Sequence, residues 1–423
     1  MQHSQTMAAR GPSADTGGLS RVFDDLLADG ERSGWRGWDP YDALRSPLVR
    51  ALSFGRRWPR IAWIQLVKRS PVNLRPALLV TQSTNPKALG LVARALVAEG
   101  RARGLDRRPQ VERLLSELDR LRSPRATGSG WGYPFDWQSR AFFVPENTPS
   151  IVASTFVANA YLDAYREWGV GRWLGRARET CDFILHDLHR TPGPDGSFCF
   201  SYTPVDRGCV HNANLLGAEL LARVVAETHE PALREAALAS ARFTLRAQAA
   251  DGSWPYGTAP FQSWIDSFHT GFDLVSLLSI VEACDKQEWV GALRRGYAFY
   301  RDRLFLADGT PKYFHDSIYP IDIHSAAQAL VTFAVFSRLE PDALGIAGRV
   351  AGWTFDNMRD RNGRFYFQRH ARYTHRTPFV RWGQAWMVYG LARLIAADVV
   401  GQGSSVHGPE SAGTEGRGPR AED

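Results

Sequence analysis

A short turn recurs along this chain at a nearly constant interval. Asp195-Gly196-Ser197-Phe198, Asp251-Gly252-Ser253-Trp254, Asp308-Gly309-Thr310 and Asn362-Gly363-Arg364-Phe365 are spaced by 56, 57 and 54 residues. A period of this length identifies a repeat architecture, because each unit is one supersecondary element that buries its apolar face only against its neighbours. Gly128-Ser129-Gly130-Trp131 opens an earlier and longer unit.

Between the turns the apolar residues fall at helical spacing. Asn212–Glu227 with Pro231–Gln248, Thr270–Cys284 with Glu288–Phe305, and Ser325–Leu339 with Asp342–Met358 read as helix pairs. The first helix of each pair is Ala-rich and apolar on all sides, as an enclosed helix is, and the second carries more Arg and Glu, as an outer one does. Asp24–Gly30, Arg60–Lys68, Pro86–Arg103 and Gln110–Leu121 supply less regular helices upstream. Helical hairpins of this size either stack as an open solenoid or close into a ring. The aromatic turn after each outer helix favours closure, since such turns wall one mouth of a ring. The expected fold is all-α, an α/α toroid of roughly six hairpins. It is expected to occupy 20–400 as one domain, with 20–125 a basic N-terminal part, 126–400 the regular repeats, and disordered Gly/Ser/Pro-rich tails at 1–19 and 401–423.

The net charge of +7 is unevenly placed. Ten cations and no Asp or Glu lie between Ala43 and Ala98, so the rest of the chain is slightly acidic. Such a segment is either a solvated face or a docking surface for an anionic partner such as a membrane; nucleic acid is not expected. Four scattered cysteines fit neither a disulfide framework nor a paired zinc site. The polar start of the chain and the lack of a long apolar run point to a cytoplasmic protein, either free or peripheral to the inner membrane face.

Phe243-Thr-Leu245 followed by Gln248-Ala-Ala-Asp251-Gly252-Ser253-Trp254 resembles the repeat of squalene–hopene cyclases, in which Gln and Trp brace consecutive outer helices. The acidic motifs of terpenoid cyclases and diphosphate-ionising synthases are absent; Asp24-Asp25 lacks their spacing. The strings Trp38-Asp-Pro-Tyr-Asp42, Gln65–Pro76, Asn85-Pro-Lys-Ala-Leu89, Trp131–Arg140, Ser263–Phe272 and Tyr319–Gln328 are similar to a bacterial family of toroid proteins encoded among exopolysaccharide-biosynthesis genes, the VpsJ type. That resemblance implies a role in building or modifying a surface glycan, with an oligosaccharide or lipid-linked glycan as partner, and carries no assigned reaction.

A polar cluster recurs after each turn, at the start of the following inner helix, where side chains and free backbone N–H groups face the mouth. The clusters are Glu146-Asn147-Thr148, with Asp136 and Trp137 in the preceding loop; His211, Asn212 and Asn214; Asp266, His269 and Thr270; Asp322, His324 and Ser325; and Arg381, Trp382 and Gln384. Asp, Asn, Ser and Thr at these places are also the ordinary helix caps, whereas His and Arg cap poorly. Tyr256 and Tyr313 either brace the turns or form sugar platforms.

The leading reaction is that of a uronate epimerase or lyase. Arg381 would neutralise the substrate carboxylate, His269 or Tyr313 would remove the adjacent proton, and His324 or His211 would act from the other face. A hydrolase would use two carboxylates from among Asp266, Asp322 and Glu146. A metal held by Asp266, His269, Asp322 and His324 is a weaker reading, so neither metal nor cofactor is expected. An isoprenoid-cyclising toroid and a non-catalytic scaffold of a glycan-assembly complex are the alternatives from other classes.

Overall fold

The computed structural model describes residues 16–140 and 142–406, apart from the side chains of Thr16 and of 401–406. It contains fourteen α-helices: α1 (Thr16–Ser33), α2 (Pro47–Leu52), α3 (Arg57–Arg69), α4 (Pro86–Arg103), α5 (Arg108–Arg120), α6 (Ile151–Trp168), α7 (Gly171–His186), α8 (His211–Thr228), α9 (Pro231–Arg246), α10 (Ser267–Cys284), α11 (Val290–Arg303), α12 (Ile323–Phe336), α13 (Ala343–Met358) and α14 (Ala385–Val406). Among the described residues the strands form only two- and three-stranded sheets in the segments between helices.

Helices α4, α6, α8, α10, α12 and α14 pack each on the next, and α14 returns to α4, so the inner ring closes. Helices α5, α7, α9, α11 and α13 lie outside their inner partners, and α1 packs on α14 in the sixth outer place. The fold is therefore an all-α toroid. The apolar pattern explains the two layers. Every residue of α12 is buried, whereas α9 buries Leu233, Ala236, Ala237, Ser240, Ala241 and Thr244, a stripe at helical period, with Leu238 beside it.

The turns hold consecutive outer helices together. In the most complete copy, Gln248 donates to the carbonyls of Gly252 and Ala292 and accepts from Arg295, bridging α9 to α11. Trp254 donates from Nε1 to the Thr244 carbonyl, and Trp131 does the same to Leu118. Gly252 and Gly309 have φ of 92° and 94° and press on the backbone of the next outer helix. A Cβ on them would come 2.3 Å from the Arg295 oxygen and 2.5 Å from the Arg349 oxygen. Strain and overlap act together here, so Gly309→Ala should lower unfolding free energy by about 2 kcal/mol in denaturant titration. An unchanged midpoint would contradict this account of the repeat.

Away from the mouth the ring interior is crossed by charge. Asp163 of α6 accepts from Arg94 of α4 at 2.8 Å and from Arg223 of α8, and Arg223 also donates to Asn159 at 2.7 Å. The Arg94 guanidinium lies 5.0 Å over the Tyr389 ring of α14.

Several expectations need adjustment. Helix α1 begins at Thr16 and α14 runs to Val406, both inside segments expected to be tails; the remainder of those tails, 1–15 and 407–423, lies outside the described residues. Helices α6, α7 and α14 were not read from the periodicity. The basic segment is also less uniform than its charge suggests. Arg75, Lys87 and Arg94 are buried, Arg75 within a small lobe built on Ala43, Leu44, Val49, Ile64 and Val67. There it donates to Asp42 and to the Asp39 carbonyl, both at 2.7 Å.

Candidate functional site

The turns before α6, α8, α10, α12 and α14 wall a cavity of about 1530 Å³, and α3 of the N-terminal lobe forms its remaining side through Ile61, Gln65, Lys68 and Arg69. This volume exceeds the ~300–1,000 Å³ of ordinary small-molecule pockets and suits a ligand of several rings. The lining is aromatic: Tyr41, Tyr133, Trp137, Tyr202, Tyr256, Trp264, Phe268, Tyr313 and Trp382 all contribute. It is also cationic, with Lys68, Arg69, Arg140, Arg207 and Arg381 against Asp206 and Asp266.

Asp266 caps α10, accepting from the His269 backbone N–H at 3.0 Å. Its other oxygen accepts from His269 Nδ1 at 2.6 Å and from Trp264 Nε1 at 3.2 Å. Nδ1 thus donates to the carboxylate, and in the neutral ring Nε2 is the acceptor. The ring of Tyr256 lies 4.6 Å from both Trp264, on which it stacks, and His269. Burial pushes the phenols of Tyr256 and Tyr313 above the usual tyrosine range, so both remain proton donors at neutral pH.

Of the sequence-selected residues, Asp266, His269, Tyr256, Tyr313, Trp137, Arg381 and Trp382 line the cavity; the others do not. Arg381 lines it with its charge already committed. It makes a bidentate pair with buried Asp39 and lies 4.9 Å over the Tyr133 ring. It is therefore poorly suited to neutralise a substrate carboxylate.

His211, Asn212, His324, Asp322, Gln384, Glu146 and Asp136 lie elsewhere. His211 is buried and turns to α9, its Nδ1 3.3 Å from Thr244 Oγ1. His324 is buried behind Phe268, between it and Trp386, with centroid distances of 4.5 and 4.6 Å, and neither ring nitrogen has a hydrogen-bond partner among the described residues. Asp322 caps α12 and accepts from Trp382 Nε1 at 2.9 Å and Gln368 at 2.6 Å, which makes it the group that fixes Trp382 at the cavity wall. Burial raises its carboxyl to about 6. Gln384 ties α14 to the fourth turn through the N–H and carbonyl of Phe365. Asp136 accepts from the Glu146 N–H at 2.8 Å, and Glu146 itself points to solvent. Asn212 is buried with its Oδ1 unpartnered among the described residues. His211, His324 and Asp322 thus stand outside the lining of this cavity. Among the described residues no three His, Cys, Asp or Glu side chains are grouped to hold an ion, and Asp266, His269, Asp322 and His324 form no such group.

Burial lowers the His211 imidazole to about 4. A base whose folded pKa is lowered contributes stability above its unfolded value near 6.5 and loses it as pH falls toward the folded value. The stability margin of the wild type over His211→Gln should therefore shrink by about 2 kcal/mol between pH 7 and pH 5, measured by paired denaturant titrations. A constant margin would mean that His211 is not held neutral.

The residues missed from sequence come mainly from the lobe. Lys68 donates to the Tyr41 hydroxyl at 2.6 Å and sits 4.3 Å over that ring, and Tyr41 in turn packs against Trp382. Tyr133 and Tyr202 meet across the cavity with hydroxyls 3.5 Å apart.

No family model and no curated protein matches this chain. Solved structures do. The cellobiose 2-epimerase of Bacillus thermoamylovorans superposes with a TM-score of 0.59 at 12% identity, over 75% of this chain and 88% of that one. A family 76 α-mannanase of Bacteroides thetaiotaomicron gives 0.58 at 13%, over 75% and 87%. A possible family 105 member from Salmonella enterica gives 0.59 at 11%, over 93% and 98%. At these identities the likeness is one of fold, the α/α toroid.

Proposed function

We propose that this protein is a glycan-modifying enzyme that acts on uronate-containing saccharides as an epimerase or lyase, in the synthesis of a surface polysaccharide on the cytoplasmic side of the membrane. The observation that carries the reading is the His269–Asp266 pair, opening into a tyrosine-lined cavity with a cationic rim. The toroid neighbours whose names record carbohydrate epimerases and glycoside hydrolases support the substrate class. The motif strings similar to the VpsJ type support the polysaccharide setting, with an oligosaccharide or lipid-linked glycan as substrate.

In this reading His269 Nε2 takes the proton next to the uronate carboxylate, and Asp266 stabilises the imidazolium that forms. Lys68, Arg69, Arg140 and Arg207 offset the carboxylate charge, a role that Arg381 is too well paired to fill. A protonated phenol, Tyr256 or Tyr313, returns a proton to the opposite face in epimerisation, or to the leaving oxygen in elimination. A hydrolase is less well supported. Of the proposed carboxylates only Asp266 reaches the cavity, and Asp206, also on its wall, accepts four donors from its own loop. The isoprenoid alternative loses its acidic pair, because Asp24 and Asp25 sit on an outer helix in ion pairs with Arg103 and Arg359.

Purified protein incubated with uronate oligosaccharides in heavy water and followed by NMR tests the reading. Epimerisation leaves deuterium next to the carboxylate, and elimination leaves a vinylic proton signal. Cleavage of neutral saccharides without exchange would overturn it in favour of hydrolysis, and inertness toward every saccharide would favour the scaffold.

A further inference from the structure

The α2–α3 hairpin presents an apolar surface that nothing in the described chain covers. Leu48 and Leu52 lie one turn apart on α2, and Trp58, Ala62 and Leu66 form an exposed stripe along α3. Phe54 stands between the helices at 76% exposure and Trp58 follows at 66%. The face buried in the lobe is a different one, carrying Ile64 and Val67. Residues 54–58 are all exposed, and Arg56, Arg57 and, on α2, Arg50 flank the aromatic tip. With no Asp or Glu anywhere between 43 and 98, this surface has no internal counter-charge.

We infer that the α2–α3 hairpin docks on an anionic lipid bilayer, with Phe54 and Trp58 in the interfacial layer and Arg50, Arg56 and Arg57 against lipid phosphates. Amphipathic aromatics beside unpaired cations are what such an interface selects, the rings for the headgroup boundary and the cations for the negative surface potential. The other occupants fit less well. A second copy meeting this face about a twofold axis would set the arginines against one another. Residues 1–15 and 407–423 offer no matching stripe: 407–423 has no large apolar residue, and 1–15 has only Met1 and Met7. Among the described residues no helix is long and apolar enough to cross a membrane, so contact through this hairpin would be at the surface. The neighbouring face of α3 carries Ile61, Gln65 and Lys68 into the cavity wall, so docking would bring the mouth beside the bilayer, where a lipid-anchored glycan emerges. The docking itself does not depend on which reaction the cavity performs.

The test is co-sedimentation of the full chain with vesicles of phosphatidylcholine alone and of phosphatidylcholine mixed equally with phosphatidylglycerol. Binding to the mixed vesicles that weakens as salt is raised is expected. Phe54→Ser with Trp58→Ser should reduce partitioning about tenfold or more, and Arg50→Gln with Arg56→Gln and Arg57→Gln on the order of a hundredfold. Thermal melts of both variants should match the wild type, because all five side chains are exposed. Absence of binding to the anionic vesicles, or equal binding to both vesicle types that the substitutions do not change, overturns the inference. So does a dimer in sedimentation that the Phe54/Trp58 variant dissolves.

Discussion

Replacing His269 by alanine should reduce turnover of the saccharide substrate by about a thousandfold while leaving its Kd and the melting temperature close to wild type. The imidazole is partly exposed at the cavity wall and, among the described residues, its only hydrogen-bonded side-chain partner is Asp266, so its removal opens space toward solvent rather than in the core. Asp266→Asn separates two roles. An amide oxygen still accepts the His269 backbone N–H and keeps the α10 cap, but the negative charge that stabilises an imidazolium is gone. Turnover should fall by about a hundredfold, with the pH–rate profile displaced and the fold retained. If His269→Ala kept turnover within a few-fold of wild type, the base would have to be sought among the other lining groups.

Asp163→Ala should cost about 4 kcal/mol of stability, the largest single loss expected for a residue outside the cavity. The carboxylate stands between Arg94 and Arg223, and truncation would leave two buried guanidinium groups facing each other across α4, α6 and α8. Asp163→Asn should fall between, since the amide still accepts hydrogen bonds but carries no charge. Burial acts to raise the Asp163 carboxyl, and Arg223 and Arg94 more than offset it, holding it well below the usual carboxylate range. A group depressed in the fold contributes stability above its unfolded pKa near 4 and loses it as pH falls toward the folded value. The wild type should therefore destabilise more steeply than Asp163→Ala below pH 4. Parallel acid limbs in denaturant titrations would show that the pair of arginines does not depend on this charge.

The parts of the molecule legible in the sequence are those set by local rules. The glycines at 252, 309 and 363 mark the turns because a positive φ with a crowded Cβ leaves little alternative. Gln248 and Trp254 announce their bracing role in one short string. The helical period gives the two layers but not the direction of each side chain near a helix start. His211, His324 and His269 sit at the first, second and third positions of α8, α12 and α10. Each step turns a side chain by roughly 100°, so one histidine meets the outer helix, one the ring axis and one the cavity. Uncertainty of a single residue in the boundary is enough to exchange these fates.

Long-range pairs were not legible at all. Arg381 looks like a free carboxylate binder until Asp39, 342 residues earlier, is placed against it. Lys68 and Tyr41 looked like parts of a separate basic lobe because nothing local reports that α3 folds back over the mouth.

Helix α1 gives the ring its sixth outer member, and its Asp29 bonds Arg364, 335 residues downstream. On a ribosome adding roughly 5–20 residues per second, α1 waits some tens of seconds for that partner. Throughout that interval the Leu19, Val22, Phe23, Leu26 and Leu27 face lacks α14, the helix it finally packs against. The earliest of the described helices is thus among the last to be seated, and nascent chains interrupted before α14 should be the ones that chaperones hold.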